Sequence, residues 1–211
     1  MKIAIVVGTR PEIIKMSPVI RYCKDHKLDF FIIHTGQHYS YNLDKVLLEE
    51  LGLPEARYHL EAGSGSHGRQ TAVILDRIEE VLVKENPHIV LVQGDTNGVL
   101  AGALAASKLH IKVGHIEACL RSYDKLMPEE INRIIADHAA DYLFAPTEDS
   151  KKNGLKENLP ENRIFVTGNT IVDAVFQNIK LAEGREDIFS RLGAKKDEYI
   201  LLTLHRQENV D

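Results

Sequence analysis

The sequence predicts an α/β fold built on a doubly wound, Rossmann-like parallel sheet. Short apolar runs rich in Val and Ile alternate with longer segments of helical period, which is typical of a parallel sheet covered by helices on both faces. The runs are continuously apolar, as expected of strands that are buried on both faces. They end in polar clusters and not in the G-x-G-x-x-G fingerprint of dinucleotide-binding proteins, so the sequence does not indicate a redox cofactor.

Six strands and six helices are predicted to form an N-terminal Rossmann-like domain over residues 1–168, and the polar clusters described below make it the candidate catalytic domain. Pro11 and Pro128 suit the first turn of a helix, where the missing N–H has no intrahelical partner in any case. Pro87 favours the end of a helix just before a strand. The longest irregular stretch covers residues 61–69. The predicted strands span residues 3–7, 30–33, 89–92, 112–116, 142–145 and 164–166, and the predicted helices span 12–24, 42–51, 70–85, 98–109, 129–138 and 149–157.

The remaining residues are predicted to lead into a second domain. A helix over 170–181 lies within connecting helices that we expect over 169–198, and a strand over 199–204 opens a second Rossmann-like domain over 199–211. The sequence stops in a strand-to-helix transition, where domains seldom end. We therefore expect the second domain to be truncated here.

Composition indicates an ordinary globular protein of the cytoplasm. The chain has 211 residues, of which 44% are apolar and 27% charged. Its net charge of −5 argues against nonspecific nucleic-acid binding. No stretch is long and apolar enough to cross a membrane, and the N-terminus lacks a cleavable signal pattern. Cys23 and Cys119 are interpreted as free thiols, and no spacing of His, Cys and Asp indicates a metal site.

Polar clusters follow five of the predicted strands directly. In open parallel sheets, ligands bind beyond the carboxyl ends of the strands, so these clusters are expected to share one edge. Several carboxylates, a histidine and arginines at one edge would suit acid–base chemistry on an anionic substrate, with guanidinium groups binding a diphosphate. The strand pattern alone places there Arg10, Gln37, His38, Asp95, Glu117 and Arg121.

Each cluster also has a purely structural interpretation. Thr9 or Glu12 could cap or favour the first helix, and Asp95 could cap a later one. Glu129 suits the first turn of a helix and forms an i,i+4 pair with Arg133. Glu117 is harder to explain by structure alone, because a carboxylate at the end of a buried strand is costly unless it is paired or functional.

Eight short motifs, in order along almost the whole chain, resemble the non-hydrolysing UDP-N-acetylglucosamine 2-epimerases. One such motif would be weak support, whereas eight in register are specific. They are Gly8-Thr9-Arg10-Pro11-Glu12, Thr35-Gly36-Gln37-His38, Gln93-Gly94-Asp95-Thr96, His115-Ile116-Glu117-Ala118, Leu120-Arg121-Ser122, Pro128-Glu129-Glu130-Ile131-Asn132-Arg133, Thr167-Gly168-Asn169-Thr170 and Leu204-His205-Arg206.

The resemblance implies the N-terminal half of a two-domain fold similar to that of B-type glycosyltransferases, and a homodimer without a cofactor. It implies interconversion of UDP-N-acetylglucosamine and UDP-N-acetylmannosamine through UDP elimination, a bound 2-acetamidoglucal and re-addition of UDP, in the synthesis of polysaccharides. Nucleic acid and membrane are not expected partners.

The resemblance also implies roles for individual residues. The catalytic positions are Asp95, Glu117, Glu129, Arg133 and His205, and the substrate-binding positions are Arg10, Gln37, His38 and Arg121. Arg69, together with Gln37 and His38, corresponds to the region where a second UDP-N-acetylglucosamine acts as an activator. Cys119 departs from the family, which usually has glycine there. If that position needs a positive φ, cysteine is strained by about 1 kcal/mol or more.

Three other functions remain compatible with the same motifs. A hydrolysing 2-epimerase would release UDP and free N-acetylmannosamine. A B-type glycosyltransferase would leave carbon 2 untouched. A non-catalytic nucleotide-sugar-binding domain would bind the substrate without exchanging its protons.

Overall fold

The computed structural model describes residues 1–36, 41–183, 187–195 and 198–202, without the side chains of residues 41–43, 187 and 188. Strands and helices alternate along most of the described chain. The strands are β1 (Lys2–Val7), β2 (Asp29–His34), β3 (Tyr58–His59), β4 (Ile89–Gln93), β5 (Lys112–Ile116), β6 (Tyr142–Ala145) and β7 (Ile164–Val166). The helices are α1 (Arg10–Asp25), α2 (Tyr41–Glu50), α3 (His67–Glu85), α4 (Asn97–Lys108), α5 (Pro128–Ala139), α6 (Glu148–Lys156), α7 (Thr170–Ala182) and α8 (Asp187–Leu192), and a 3-10 turn spans Glu161–Arg163.

The seven strands form one parallel sheet in the order β3-β2-β1-β4-β5-β6-β7. From β1 the chain adds β2 and β3 on one side of β1 in the sheet. It then adds β4 to β7 in order on the other side of β1. The direction changes between β1 and β4, and a crevice for ligands is expected beyond the carboxyl ends of strands at such a point. The predicted doubly wound, Rossmann-like sheet is confirmed.

Two hydrophobic cores cover the two faces of the sheet. Alternation along β1 divides its side chains, since Ile3 and Ile5 pack in one core and Ala4 and Val6 in the other. The first core is completed by α1 and α2, and the second by α3, α4 and α5. Burial on both faces explains why the strands are apolar without alternation.

Local sequence signals explain how α1 and α4 begin. The Thr9 side chain accepts the Glu12 N–H, and the Glu12 carboxylate accepts the N–H groups of Thr9 and Gly8 at 2.9 and 2.5 Å, which forms a capping box at α1. At α4 the cap is Thr96, whose hydroxyl accepts the Val99 N–H. The alternative in which Asp95 caps this helix is therefore wrong, and the Asp95 carboxylate is available for other contacts.

Three parts of the sheet and helix prediction differ from the structure. The two-residue strand β3 was not expected, because two residues are too few to show a pattern. Helix α3 begins at His67 and not at residue 70, so it includes the last three residues of the tract 61–69 that the prediction left irregular. Residues 199–202 of the predicted strand 199–204 are not in a strand, since no described strand pairs with them, and residues 203–204 lie outside the described residues.

The chain divides into two compact units, residues 1–175 and 176–211. The first contains the whole sheet. In the described part of the second, the rings of Phe189 and Tyr199 lie 5.7 Å apart between centroids. None of the helices in the described ranges combines the length and the apolar character that crossing a membrane requires.

Candidate active site

Asp95 follows β4 and is held by an arginine from α5. Gly94 turns the chain there with φ +86°, a conformation that favours glycine. The Asp95 carboxylate pairs with the Arg133 guanidinium, and Asn132 donates a hydrogen bond to the Asp95 carbonyl at 2.9 Å. Arg133 also reaches Glu130 at 3.0 Å. The side chain of Asp95 is therefore oriented at the edge of the sheet while still 34% exposed.

Glu117 follows the neighbouring strand β5 and is held by two other groups. Lys15 Nζ lies 2.6 Å from Glu117 Oε2, and the Gln93 side-chain amide donates to the same oxygen. The backbone at Glu117 has φ 67°, in the left-handed region that a non-glycine residue rarely adopts. Strain of this kind clusters at functional sites, because surrounding contacts must enforce it.

Asp95 and Glu117 meet in one open pocket at the carboxyl ends of β4 and β5. The pocket is lined by Lys15, Gly94, Asp95, Glu117, Leu120 and Arg133. Two carboxylates, each paired with a cation, thus face the same space. Such a site can accept and return protons and can also attract an anionic ligand.

The two adjacent glutamates at the start of α5 have different environments. Glu130 is buried, and its carboxylate accepts the N–H groups of Ser122 at 3.0 Å and Tyr123 at 2.9 Å. Burial acts to raise the pKa of Glu130, but these hydrogen bonds and Arg133 outweigh it and hold the pKa below its ordinary value. Glu129 is half-buried, and the expected i,i+4 pair with Arg133 is wrong, because Arg133 pairs with Glu130 and Asp95 instead.

Arg121 lies in a buried ion-pair cluster instead of facing the pocket. Its guanidinium contacts Asp137 at 2.7 Å and Glu157 at 2.6 Å, and its side chain is only 1% exposed. Burial acts to lower the pKa of Arg121, but the two carboxylates outweigh it and raise the pKa above its ordinary value. This geometry favours a structural role for Arg121 over direct contact with the substrate.

The remaining candidate residues are spread over the edge of the sheet or lie outside the described part. Arg10 is exposed at the first residue of α1. Arg69 is exposed in the first turn of α3. Gln37, His38 and His205 lie outside the described residues.

Lys15 is the site residue that the sequence analysis missed. It lies in α1, one helical turn after Pro11, on the side that faces Glu117 102 residues later in the chain. The available signal was a lysine in the second turn of a predicted helix that begins at a polar cluster. Its partner could not be read from the sequence.

Cys119 has the positive φ that was considered for this position in the sequence analysis. Its φ is 64°, and its thiol is fully buried. Its N–H donates to both oxygens of Asp137, at 3.2 and 3.0 Å. Burial is the first cause that raises the pKa of the thiol, to about 12, so Cys119 remains protonated and is not a nucleophile.

No group of three or more His, Cys, Asp and Glu residues within the described ranges is arranged to hold a metal ion.

Known proteins share this fold and much of this sequence. The UDP-N-acetylglucosamine 2-epimerase family model matches residues 21–211. A UDP-N-acetylglucosamine 2-epimerase from Methanocaldococcus jannaschii is 59% identical over 213 residues, which cover 100% of this chain and 58% of that relative. A crystal structure of the enzyme from the same organism, in complex with UDP-GlcNAc and UDP, superposes with a TM-score of 0.93 at 59% identity, over 100% of this chain and 58% of that one.

A relative that is named for a different activity is also similar. The UDP-2,3-diacetamido-2,3-dideoxy-D-glucuronate 2-epimerase of Pseudomonas aeruginosa is 44% identical over 215 residues, which cover 100% of this chain and 59% of the relative. The chain thus spans somewhat more than half the length of the curated relatives that it matches. The resemblance found in the motifs and the expected relation to the epimerase fold are confirmed, and the chain belongs to the UDP-N-acetylglucosamine 2-epimerase family.

Proposed function

We propose that this chain supplies the acid–base groups of a non-hydrolysing UDP-N-acetylglucosamine 2-epimerase. The proposal rests on the pocket in which Asp95 and Glu117 lie at neighbouring strand ends, each paired with a cationic side chain. Inversion at carbon 2 removes a proton from one face of the sugar and returns one to the other face. Two or more carboxylates around one space suit that requirement.

The proposed reaction runs in two stages. A carboxylate, Glu117 or Asp95, takes the proton from carbon 2 while the bond between carbon 1 and UDP breaks, which leaves bound 2-acetamidoglucal. UDP then adds back to carbon 1 while carbon 2 is protonated on the opposite face. Glu129 shares the acid–base work, Arg133 orients Asp95, and Arg10 holds the diphosphate.

Several elements of this proposal rest on the family alone. His205 would assist the departure of UDP, and Gln37 and His38 would contact substrate or activator. A cytoplasmic homodimer follows from the same source, and the two free, buried cysteines fit a reducing compartment.

The proposed activator region has one structural support. Gln70, next to Arg69 in α3, accepts a hydrogen bond from Asn97 at 2.8 Å. Asn97 in turn accepts from Asn132, which holds the Asp95 carbonyl. A second UDP-sugar bound near Arg69 would thereby be linked to the backbone at Asp95.

Deuterium incorporation at carbon 2 tests the reaction. This chain, and a fusion of it to the remaining C-terminal part of the M. jannaschii relative, are incubated with UDP-N-acetylglucosamine in deuterated water. We expect label and UDP-N-acetylmannosamine from the fusion, and little from the chain by itself. Asp95→Asn and Glu117→Gln should lower exchange by about 10²–10⁴-fold, whereas the exposed Asp76→Asn should not. A folded fusion without any label would exclude the elimination mechanism.

The products distinguish the alternatives. Free N-acetylmannosamine would indicate a hydrolysing enzyme, and sugar transfer without label at carbon 2 would indicate a glycosyltransferase. A second candidate substrate comes from the P. aeruginosa relative, and label in UDP-2,3-diacetamido-2,3-dideoxy-D-glucuronate alone would favour it.

A further inference from the structure

A buried network of ionisable groups lies directly behind the pocket and takes no part in the reaction proposed above. His115 in β5 and Asp137 in α5 are both 0% exposed, and their side chains meet at 2.7 Å between Nδ1 and Oδ1. The other ring nitrogen of His115, Nε2, lies 2.8 Å from the carbonyl oxygen of Gly94. Both ring nitrogens therefore have a partner inside the protein.

The chemistry of those partners decides the protonation of the ring. A backbone carbonyl oxygen can only accept, so Nε2 must donate to Gly94. Asp137 accepts from the Cys119 N–H and from Arg121, contacts that fit an ionised carboxylate. Nδ1 then donates as well, and a histidine that donates from both nitrogens is an imidazolium.

The surrounding charges balance such an imidazolium. The charged groups that act on it are Asp137 and Arg121, and Glu157 pairs with Arg121 in turn. His115 and Arg121 provide two positive charges, and Asp137 and Glu157 provide two negative charges. Buried charges persist when they are paired and hydrogen-bonded in this way.

The pKa directions agree with this geometry. Burial acts to lower the pKa of His115, but the charge and hydrogen bond of Asp137 and the bond to Gly94 outweigh it and raise the pKa. Burial likewise acts to raise the pKa of Asp137, but His115 and Arg121 outweigh it and lower the pKa.

The network connects the two loops that present the pocket carboxylates. Gly94 directly precedes Asp95, and Cys119 is two residues after Glu117 at the second of two positive-φ positions. We propose that His115, held as an imidazolium, is a positioning residue that with Asp137 ties the backbone beside Asp95 to the backbone beside Glu117. The positioning role rests on the proposed function, whereas the protonation state of His115 does not.

Nuclear magnetic resonance of histidine-labelled protein tests the protonation state in the unaltered chain. The His115 signals are assigned from their loss in His115→Asn. We expect both ring nitrogens to be protonated at about pH 7, where an ordinary exposed histidine is mostly neutral. A neutral His115 ring with one unprotonated nitrogen at about pH 7 would overturn the proposal, whatever the enzyme does.

Two substitutions distinguish the two hydrogen bonds that the His115 ring makes, one to Asp137 and one to Gly94. Asparagine places its amide near the position of Nδ1 and retains a donor toward Asp137, whereas glutamine places its amide near Nε2 and retains a donor toward Gly94. In the fusion protein, His115→Asn and His115→Gln should each lower the exchange rate at saturating substrate by about a hundredfold, with a much smaller change in KM. The exposed His138→Gln on α5 is the matched control and should leave both unchanged.

The amide of Cys119 reports on the positioning without any need for activity. Its N–H should exchange with deuterated water faster in His115→Gln than in His138→Gln, because Asp137 loses the partner that orients it. Unchanged exchange of this amide together with unchanged kinetics in a folded variant would refute the positioning role. If the unaltered fusion shows no label at carbon 2, the proposed function fails, and the ring and amide measurements still decide this inference.

Discussion

Lys15 Nζ lies 2.6 Å from Glu117 Oε2, although the two residues are 102 positions apart. The contact joins the first helix to the end of β5 across the switch point of the sheet. Both side chains are mostly buried, with 27% and 13% of their surface exposed. The ammonium of Lys15 thereby holds the Glu117 carboxylate in place beside the pocket that both residues line.

Removal of the Lys15 charge should impair the reaction more than the fold. For Lys15→Gln in the fusion protein, we expect the rate of deuterium incorporation at carbon 2 to fall by about a hundredfold, because the carboxylate loses its preorganised partner. The exposed Lys125→Gln is the control. Equal rates in the two variants would show that Lys15 is not part of the site.

Substitution of the two glutamates at the start of α5 should affect different properties, namely stability at Glu130 and exchange at carbon 2 at Glu129. Glu130→Gln should lower the free energy of unfolding by about 1–3 kcal/mol, because two backbone N–H groups and Arg133 lose a charged acceptor. Glu129→Gln should change it by less than about 0.5 kcal/mol while it lowers exchange at carbon 2. Urea denaturation and the exchange assay check both, and a destabilised Glu129→Gln with full exchange would reverse the assignment.

Cys119 and Gly154 should be energetically coupled. A Cβ added at Gly154 would lie 2.8 Å from the Cys119 sulfur and 3.0 Å from Ile164 Cδ1, so Gly154→Ala should destabilise the fold by about 1–3 kcal/mol. In a Cys119→Gly background that loss should be smaller by about 1 kcal/mol, because the sulfur is gone. Urea denaturation of the four proteins in the double-mutant cycle measures the difference, and strict additivity would contradict the contact.

Glu85 should make the free energy of unfolding depend on pH in the acid range. Its carboxylate accepts hydrogen bonds from Lys2 and Tyr58 and pairs with Arg57, and these groups lower its pKa from 4.5 to about 2, with the Lys2 hydrogen bond as the largest cause. A depressed pKa contributes stability above pH 4.5, which is lost as the pH falls from 4.5 toward about 2.

The Glu85→Gln variant should therefore have a lower free energy of unfolding than the unaltered protein at neutral pH. The difference between the two free energies should become smaller below about pH 4.5. Denaturation curves at several pH values provide the measurement. Glu80→Gln, an exposed change on the same helix, should show no such narrowing. A constant difference for Glu85→Gln at all pH values would mean that its ion pairs do not set its pKa.

The elements of the sheet were largely predictable because their signals are local. All six strands and all six helices that were predicted for the first domain are present, with ends shifted by three residues or fewer. The polar residues after β4 and β5 were predicted to share one edge, and Asp95 and Glu117 do share a pocket. Prediction failed for β3, which is too short to show a pattern, and for residues 199–202, since a strand needs a neighbour to pair with.

The sequence by itself determined the α/β class, the start of the first helix near Thr9 and the edge of the sheet where the carboxylates lie, because apolar period and capping act over a few residues. Only the tertiary structure decided the partners of those carboxylates. The residues adjacent in sequence do not show whether a polar side chain contacts the substrate or pairs with another side chain inside the protein. This holds for Arg121, Asp137, His115 and Lys15. That distinction depends on distances between residues far apart in the chain, which exist only once the sheet has formed.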